Sequence, residues 1–257
     1  MSAESMLERL DRYYHEQGIS PVGFKCPHLE KCSSVCAPGK MATAQAAYVG
    51  PGFEEGKLPR LLFVSSDTCD ASWYKDNPKL LTLEGVRKTA LSDRLKNVEP
   101  KGHWYKTLDL ARKLLAPFAK DRLAHPLNID GVLEYVAHAR STRCKDISIG
   151  KGEGKEDMYL NCRGFVKGEV VAMQPDIIIT QGARAREALK GAFPVERHVA
   201  MPGYPGHKAH FEIINISDNH KAIKIVAWHP CAHWRGKDKQ LFAEWAAKNV
   251  QEFIPGS

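Results

Sequence analysis

The sequence predicts an α/β protein, a three-layer α/β/α sandwich built on a central, mainly parallel four-stranded sheet. Three observations lead to this class. Short runs with the apolar character of buried strands occur at Leu61–Ser65, Glu134–Arg140, Pro175–Gly182 and Ile223–Trp228. Segments with apolar residues at helical spacing lie between and after them. Strands alternating with helices imply a parallel sheet covered on both faces. With 257 residues, 43% of them hydrophobic, the chain is expected to form one domain over 1–257, with an N-terminal helix and a cysteine cluster within 1–40.

Taken in order, residues 2–17 read as an amphipathic helix with Leu7, Leu10 and Tyr14 on one stripe and Ser5/Glu8 as a capping box. Three cysteines follow within Cys26-Pro-His-Leu-Glu-Lys-Cys32-Ser-Ser-Val-Cys36. A Gly/Pro-rich connection then runs to residue 60, and Pro51, Gly52, Gly56 and Pro59 predict a loop. The first strand opens into a polar, then aromatic segment, Ser65 to Tyr74. Residues 75–104 are charged and irregular apart from a helix near 83–96. Leu108, Ala111, Leu115 and Phe118 place a core-facing helix at 105–116, ending near Pro117. After the second strand, Gly150–Gly154 is expected to be an exposed loop, and Cys162, Phe165, Val166, Val170 and Met173 share one helical face. The third strand ends in a glycine turn, and Ala183–Lys190 begins another helix. Phe211–Ile216 is expected to add an extra strand with a turn at Asp218-Asn219. A closing helix at 238–252 turns Phe242, Ala246 and Val250 inward.

A formal charge of +7 and an isoelectric point near 9.0 favour acidic partners, nucleic acid first. No run approaches the roughly 18 apolar residues of a membrane helix, and no charged-then-apolar leader is present. No membrane partner is therefore expected. Seven cysteines, an odd number without a secretion signal, point to a reducing cytoplasm. There, clustered cysteines more often hold metal than form disulfides. Cys26, Cys32, Cys36, Cys144 and Cys162 form the candidate metal set. Soft thiolates suit an iron–sulfur cluster or zinc, each normally with four cysteines. Spacing alone separates neither the two metals nor the spare cysteine among the first three.

The stretch Lys224-Ile-Val-Ala-Trp-His-Pro-Cys-Ala-His-Trp-Arg-Gly-Lys237 carries the most chemistry. A buried strand delivers His229 to its carboxyl end, and a basic, aromatic loop follows. In open α/β sheets ligands bind outside the carboxyl ends of the strands.

The order of these motifs resembles the uracil-DNA glycosylase superfamily, in particular its iron–sulfur branch. Cluster-type cysteines precede the first strand. Arg143-Cys144 follows the second, with Cys162 beyond it. A helix leads into the Pro-x-Ile-Ile-Ile-Thr-x-Gly strand at Pro175–Gly182, followed by Ala183 and Ala185. The His-Pro-Ser loop with an arginine six residues after its histidine is matched by His229-Pro-Cys-Ala-His-Trp-Arg235. These features span about residues 26–250.

The resemblance implies a monomeric, DNA-binding enzyme. It would flip a base from the duplex and cleave the N-glycosidic bond to leave an abasic site, with a 4Fe-4S cluster on the cysteines and zinc as the alternative. It implies His229 and Asp67 as catalytic residues, with Asp70 in reserve near the substrate. Trp73 and Tyr74 would stack on the base, His233 or Trp234 would enter the duplex, and Arg235, Lys237 and Lys239 would track phosphates. Three departures concern specificity. Ser65-Ser66-Asp67-Thr68-Cys69 lacks the Gly and Pro of the family's first motif, and Cys231 replaces the serine of His-Pro-Ser. Arg140 stands where uracil enzymes carry an asparagine that reads the pyrimidine edge. Arginine offers donors only. The expected target is therefore a modified pyrimidine, for example in phage DNA, where excision would serve defence. Alternatives are a conventional uracil enzyme of base excision repair, a non-catalytic DNA-binding member of the fold, and a redox or regulatory protein using the cysteines directly.

Overall fold

The computed structural model describes residues 4–20, 23–42, 46–66, 83–89, 102–146, 154–203, 209–227 and 236–254. Helix α1 (Met6–Glu16) begins at the expected capping box: Glu8 N–H donates to Ser5 Oγ at 3.2 Å, and Ser5 N–H to the Glu8 carboxylate at 2.7 Å. Its buried stripe is Met6, Leu10 and Tyr14, with Leu7 half-buried at the margin. Helix α2 (Leu29–Ser34) carries Cys32, and two-residue strands follow at Met41–Ala42 (β1) and Tyr48–Val49 (β2).

The loop expected around Pro51 is a short helix, α3 (Pro51–Glu55). Proline suits the first helical position because its missing N–H is unused there. Gly56, at φ 67°, ends the helix in the left-handed region. Gly50 packs so closely on the preceding segment of the second parallel strand that a Cβ would lie 2.2 Å from the Glu134 carbonyl oxygen.

Strand β3 (Leu61–Ser65) is wholly buried. Within 83–96 the described helix is α4 (Leu83–Thr89). Helix α5 (His103–Ala119) passes through Pro117 rather than stopping before it. Pro117 lies in the last turn, so it removes one backbone bond near an end that frays in any case. A 3-10 turn at Gly131–Tyr135 precedes β4 (Val136–Arg140), which is shorter than the run beginning at Glu134 suggests. Then come β5 (Lys145–Asp146), α6 (Glu156–Met173), β6 (Ile177–Gln181) and α7 (Ala183–Ala188). Three further strands, β7 (Val195–Ala200), β8 (His210–Ser217) and β9 (His220–Ala227), and helix α8 (Gly236–Phe253) complete the order.

Among the described residues the main sheet has seven strands, not four, in the order β2-β4-β3-β6-β9-β8-β7. Its centre, β4-β3-β6-β9, is the predicted parallel set. Antiparallel strands extend both sides: β2 on β4, and β8 then β7 on β9. β8 and β9 form the expected hairpin, with Ser217 opposite His220 across Asp218-Asn219. The sequence concealed β7 because Val-Glu-Arg-His-Val-Ala is an edge strand with its side chains largely exposed, so no apolar alternation marks it. β2 is two residues long and too short to read.

Leu61–Val64 and Ile177–Ile179 are at most 1% exposed and form the centre of one continuous core. α1 packs along α6, which also meets α7, whereas α5 packs against α8. A smaller apolar cluster of Cys32, Cys144 and Met158 lies under Phe24, Cys36 and Met41. No described helix is long and apolar enough to cross a membrane.

Candidate functional site

The parallel strands end level with one another. Register pairs Ser65 with Arg140 on one side and with Gln181 on the other, and Gln181 with Ala227. Arg140, Ser65, Gln181 and Ala227 therefore form a row across the carboxyl edge of the sheet. Asp67 follows Ser65 by two residues and His229 follows Ala227 by two. Only β6 separates β3 from β9, so the two chain exits are roughly 9–10 Å apart at ordinary strand spacing. Asp67, Asp70, Trp73, Tyr74, His229, His233, Trp234 and Arg235 lie outside the described residues. Lys237 and Lys239 fall in the first turn of α8.

Arg140 is described and is 5% exposed. Its carbonyl accepts from Arg143 Nη2 at 2.7 Å. Beside it the edge contains polar groups that the sequence reading did not select. Ser65 Oγ and His138 Nε2 are 2.7 Å apart, both buried, and Trp104 meets the His138 ring edge-on at 4.9 Å. Ser141 donates to the Ser65 carbonyl through its N–H at 2.9 Å and its hydroxyl at 2.8 Å, clasping the ends of β3 and β4. Gln181 Nε2 donates to Thr107 Oγ1 at 3.1 Å, tying β6 to α5. Tyr159 on α6 donates to the Ser66 carbonyl at 3.2 Å, just where the chain leaves the strand. A legible signal existed for two of them: His138 and Gln181 are polar residues inside runs that otherwise bury apolar side chains.

The five cysteines of the predicted metal set form no disulfide with one another. Four are buried, Cys26 at 8%, Cys32 at 3%, and Cys144 and Cys162 at 4% each, while Cys36 is half-buried. The fold brings distant stretches together: α2 packs on α6, so Cys32 shares a cluster with Cys144, and Cys26, Cys32 and Cys162 lie within electrostatic range of one another. Three sulfurs receive N–H donors: Cys26 from His28 N at 3.4 Å, Cys162 from Arg143 N at 3.3 Å, and Cys32 from Asn161 Nδ2 at 3.4 Å. Such donors around sulfur stabilise thiolate ligands and tune a bound centre. Burial pushes the Cys162 thiol up to about 11, against the lowering pull of the Arg143 N–H and guanidinium. Burial likewise raises Cys26 and Cys36. A bound cation would reverse this, since the ligand form is the thiolate.

The donor set fits a soft metal centre. Soft thiolates suit an iron–sulfur cluster and zinc alike.

Behind this set lies a buried ion network that the sequence reading missed. Arg143 Nη1 meets Glu169 Oε1 at 2.5 Å, with the side chains 1% and 0% exposed. The Tyr14 hydroxyl donates to the same Glu169 oxygen and accepts from Ala47 N at 2.9 Å. Burial pushes the Glu169 carboxyl above its ordinary range, while Arg143 and Tyr14 pull it back. The network joins α1, the segment after β4 that also carries Cys144, and α6, which carries Cys162. Compared with protein-family models and with curated proteins, the chain finds no match.

Proposed function

We propose that the protein is a monofunctional DNA glycosylase that extrudes a modified pyrimidine and hydrolyses its N-glycosidic bond to leave an abasic site. The observation that carries this reading is the level row Arg140–Ser65–Gln181–Ala227. From it the Asp67 and His229 segments depart one strand apart, in the motif order of the uracil-DNA glycosylase superfamily. In this reading the helix groups α1/α6/α7 and α5/α8 cover opposite faces of the sheet as a three-layer sandwich.

The chemistry assigned to the edge is hydrolytic. The bond from C1′ to the base nitrogen breaks, the sugar passes through an oxocarbenium-like state, and negative charge builds on the leaving base. His229 stabilises that charge electrostatically. Asp67 orients the water whose oxygen bonds C1′; one water proton stays on the new C1′ hydroxyl and the other passes to the departing base, directly or through solvent. Flipping costs a few kcal/mol, offset by phosphate contacts from Arg235, Lys237 and Lys239 and by a His233 or Trp234 wedge. Trp73, Tyr74 and Asp70 would line the base pocket. Arg140 supports a target other than plain uracil, because a donor-only side chain cannot supply the paired donor and acceptor that read uracil.

Cys32, Cys144 and Cys162, with Cys26 or Cys36, would hold a 4Fe-4S cluster. Zinc on the same cysteines is the alternative. When bound, the cluster would supply cross-linking of the N-terminal segment to β4 and α6. The partner would be DNA, the protein a monomer, its compartment the cytoplasm, and its role defence against modified phage DNA.

The test is abasic-site formation on a panel of unmodified, uracil-containing, hydroxymethylated and glucosylated DNAs. Release from a modified DNA, lost in His229→Ala and in Asp67→Asn, is the expected result. Efficient uracil release with modified DNA left intact would return the protein to conventional repair. Binding to DNA without any abasic product would make it a non-catalytic member of the fold.

A further inference from the structure

The far edge of the sheet carries a second cluster of ligand-type side chains, on β7 and β8. Five strand steps separate β7 from β4, the strand that leads to Cys144, a distance of roughly 24 Å. The cluster is therefore independent of the cysteines. Register sets its geometry: His198 on β7 stands opposite Glu212 on β8, and Ala200 stands opposite His210. His210 and Glu212 are two residues apart on one strand and so share a face. Phe211 and Ile213 take the buried face, leaving His210 and Glu212 partly exposed. The diagonal between His210 and His198 completes a triangle.

The ligand atoms of His198, His210 and Glu212 all lie within 4.8 Å of one another. His210 Nε2 is 3.3 Å from Glu212 Oε1, and the two imidazole centroids are 4.5 Å apart. His210 Nδ1 is buried and has no hydrogen-bond partner among the described residues. Glu212 is oriented from behind: its other oxygen, Oε2, accepts from Lys224 Nζ at 2.5 Å. That leaves Oε1 facing the imidazole. A ligating carboxylate fixed by an outer hydrogen bond is a regular feature of metal sites.

We infer that His198, His210 and Glu212 form a site for a divalent first-row metal ion of the zinc class. Two imidazoles and one carboxylate suit Zn²⁺, Co²⁺ or Ni²⁺ and disfavour Ca²⁺ and Mg²⁺, which take oxygen ligands. Three protein ligands leave the remaining positions to water or to an added ligand. Bound there, the ion staples the exposed edge strand β7 to β8.

The experiment is a Co²⁺ titration of the full-length, tag-free protein after chelator treatment, followed by displacement with Zn²⁺. One equivalent should give visible d–d absorption without a sulfur-to-metal charge-transfer band, removed by Zn²⁺ and unaffected by excess Mg²⁺. His198→Ala removes an exposed edge side chain and its ring contact with His210, and no buried one. It should leave the metal-free melting temperature unchanged and weaken Co²⁺ binding by at least the roughly 10–100-fold loss that follows even from disturbing an outer-shell partner. Glu212→Gln should weaken binding similarly. Absence of these bands, bands with sulfur charge transfer alone, or His198→Ala binding as tightly as the parent would overturn the site.

Discussion

Arg143 and Glu169 meet at 2.5 Å with almost no solvent access, the guanidinium from the segment after β4 and the carboxylate from α6. The contact is made where the protein also assembles its cysteines, since the backbone N–H of the same Arg143 donates to Cys162 Sγ. A single residue thus serves the ion network with its side chain and the thiol set with its backbone.

Breaking that pair from one side leaves a charge buried without its partner. Glu169→Ala or Arg143→Met should each cost about 3–5 kcal/mol, read as a shift in urea midpoint. Replacing both with apolar residues should cost much less than the sum, because the desolvation penalty disappears with the charges. Tyr14→Phe should cost about 1–3 kcal/mol, since it deprives Glu169 of a donor and Ala47 N–H of an acceptor.

Iron content distinguishes the cysteines. Protein purified without oxygen should carry roughly four irons per chain. Cys144→Ser and Cys162→Ser should abolish iron retention and the associated visible absorption. Of Cys26→Ser and Cys36→Ser, one should retain both, identifying the spare thiol. Retention of a full iron complement in Cys162→Ser would remove the proposed ligand set.

Gly50→Ala should destabilise by about 1–3 kcal/mol or more, as overpacking does. The added Cβ meets a backbone carbonyl, that of Glu134, rather than a side chain that could turn aside. Thermal denaturation of the variant against the parent measures it. An unchanged midpoint would mean that the α3 segment and the 3-10 turn separate at no cost.

Glu212 predicts an acid-stability signature. The hydrogen bond from His210 holds its carboxyl down to about 2, against burial and together with Lys224, from an ordinary 4.5. A depressed carboxyl favours the folded state when ionised. Its contribution is therefore complete above about 4.5 and is lost as the pH falls towards 2. Acid titration of stability with a chelator present should show a shallower loss over this window in Glu212→Gln than in the parent.

The legible part of the fold was its buried, periodic part. Ile-Ile-Ile-Thr in β6 and Phe242, Ala246 and Val250 in α8 reveal themselves because burial selects apolar residues at a fixed period. β7 was illegible for the opposite reason: an edge strand faces solvent, and its Glu196, Arg197 and His198 resemble a loop. α3 was misread because Pro51 and Gly56 punctuate a helix as readily as they break one. At the candidate site, the cysteines were visible as a pattern in the chain. Ser65–His138 and Arg143–Glu169 were not, because each is a pairing across 73 or 26 positions that only the packed structure reveals.

The Tyr14–Glu169 hydrogen bond spans 155 residues, and this sets a timetable for the nascent chain. At roughly 5–20 residues per second, the ribosome needs about 8–30 s to make the partner that Tyr14 awaits. Until then the first helix, with Cys26 and Cys32 close behind it, has neither its carboxylate nor its companion thiols. The N-terminal segment is made early and completed late. Cys26 and Cys32 stay open to solvent during that interval and become 8% and 3% exposed once α6 has packed.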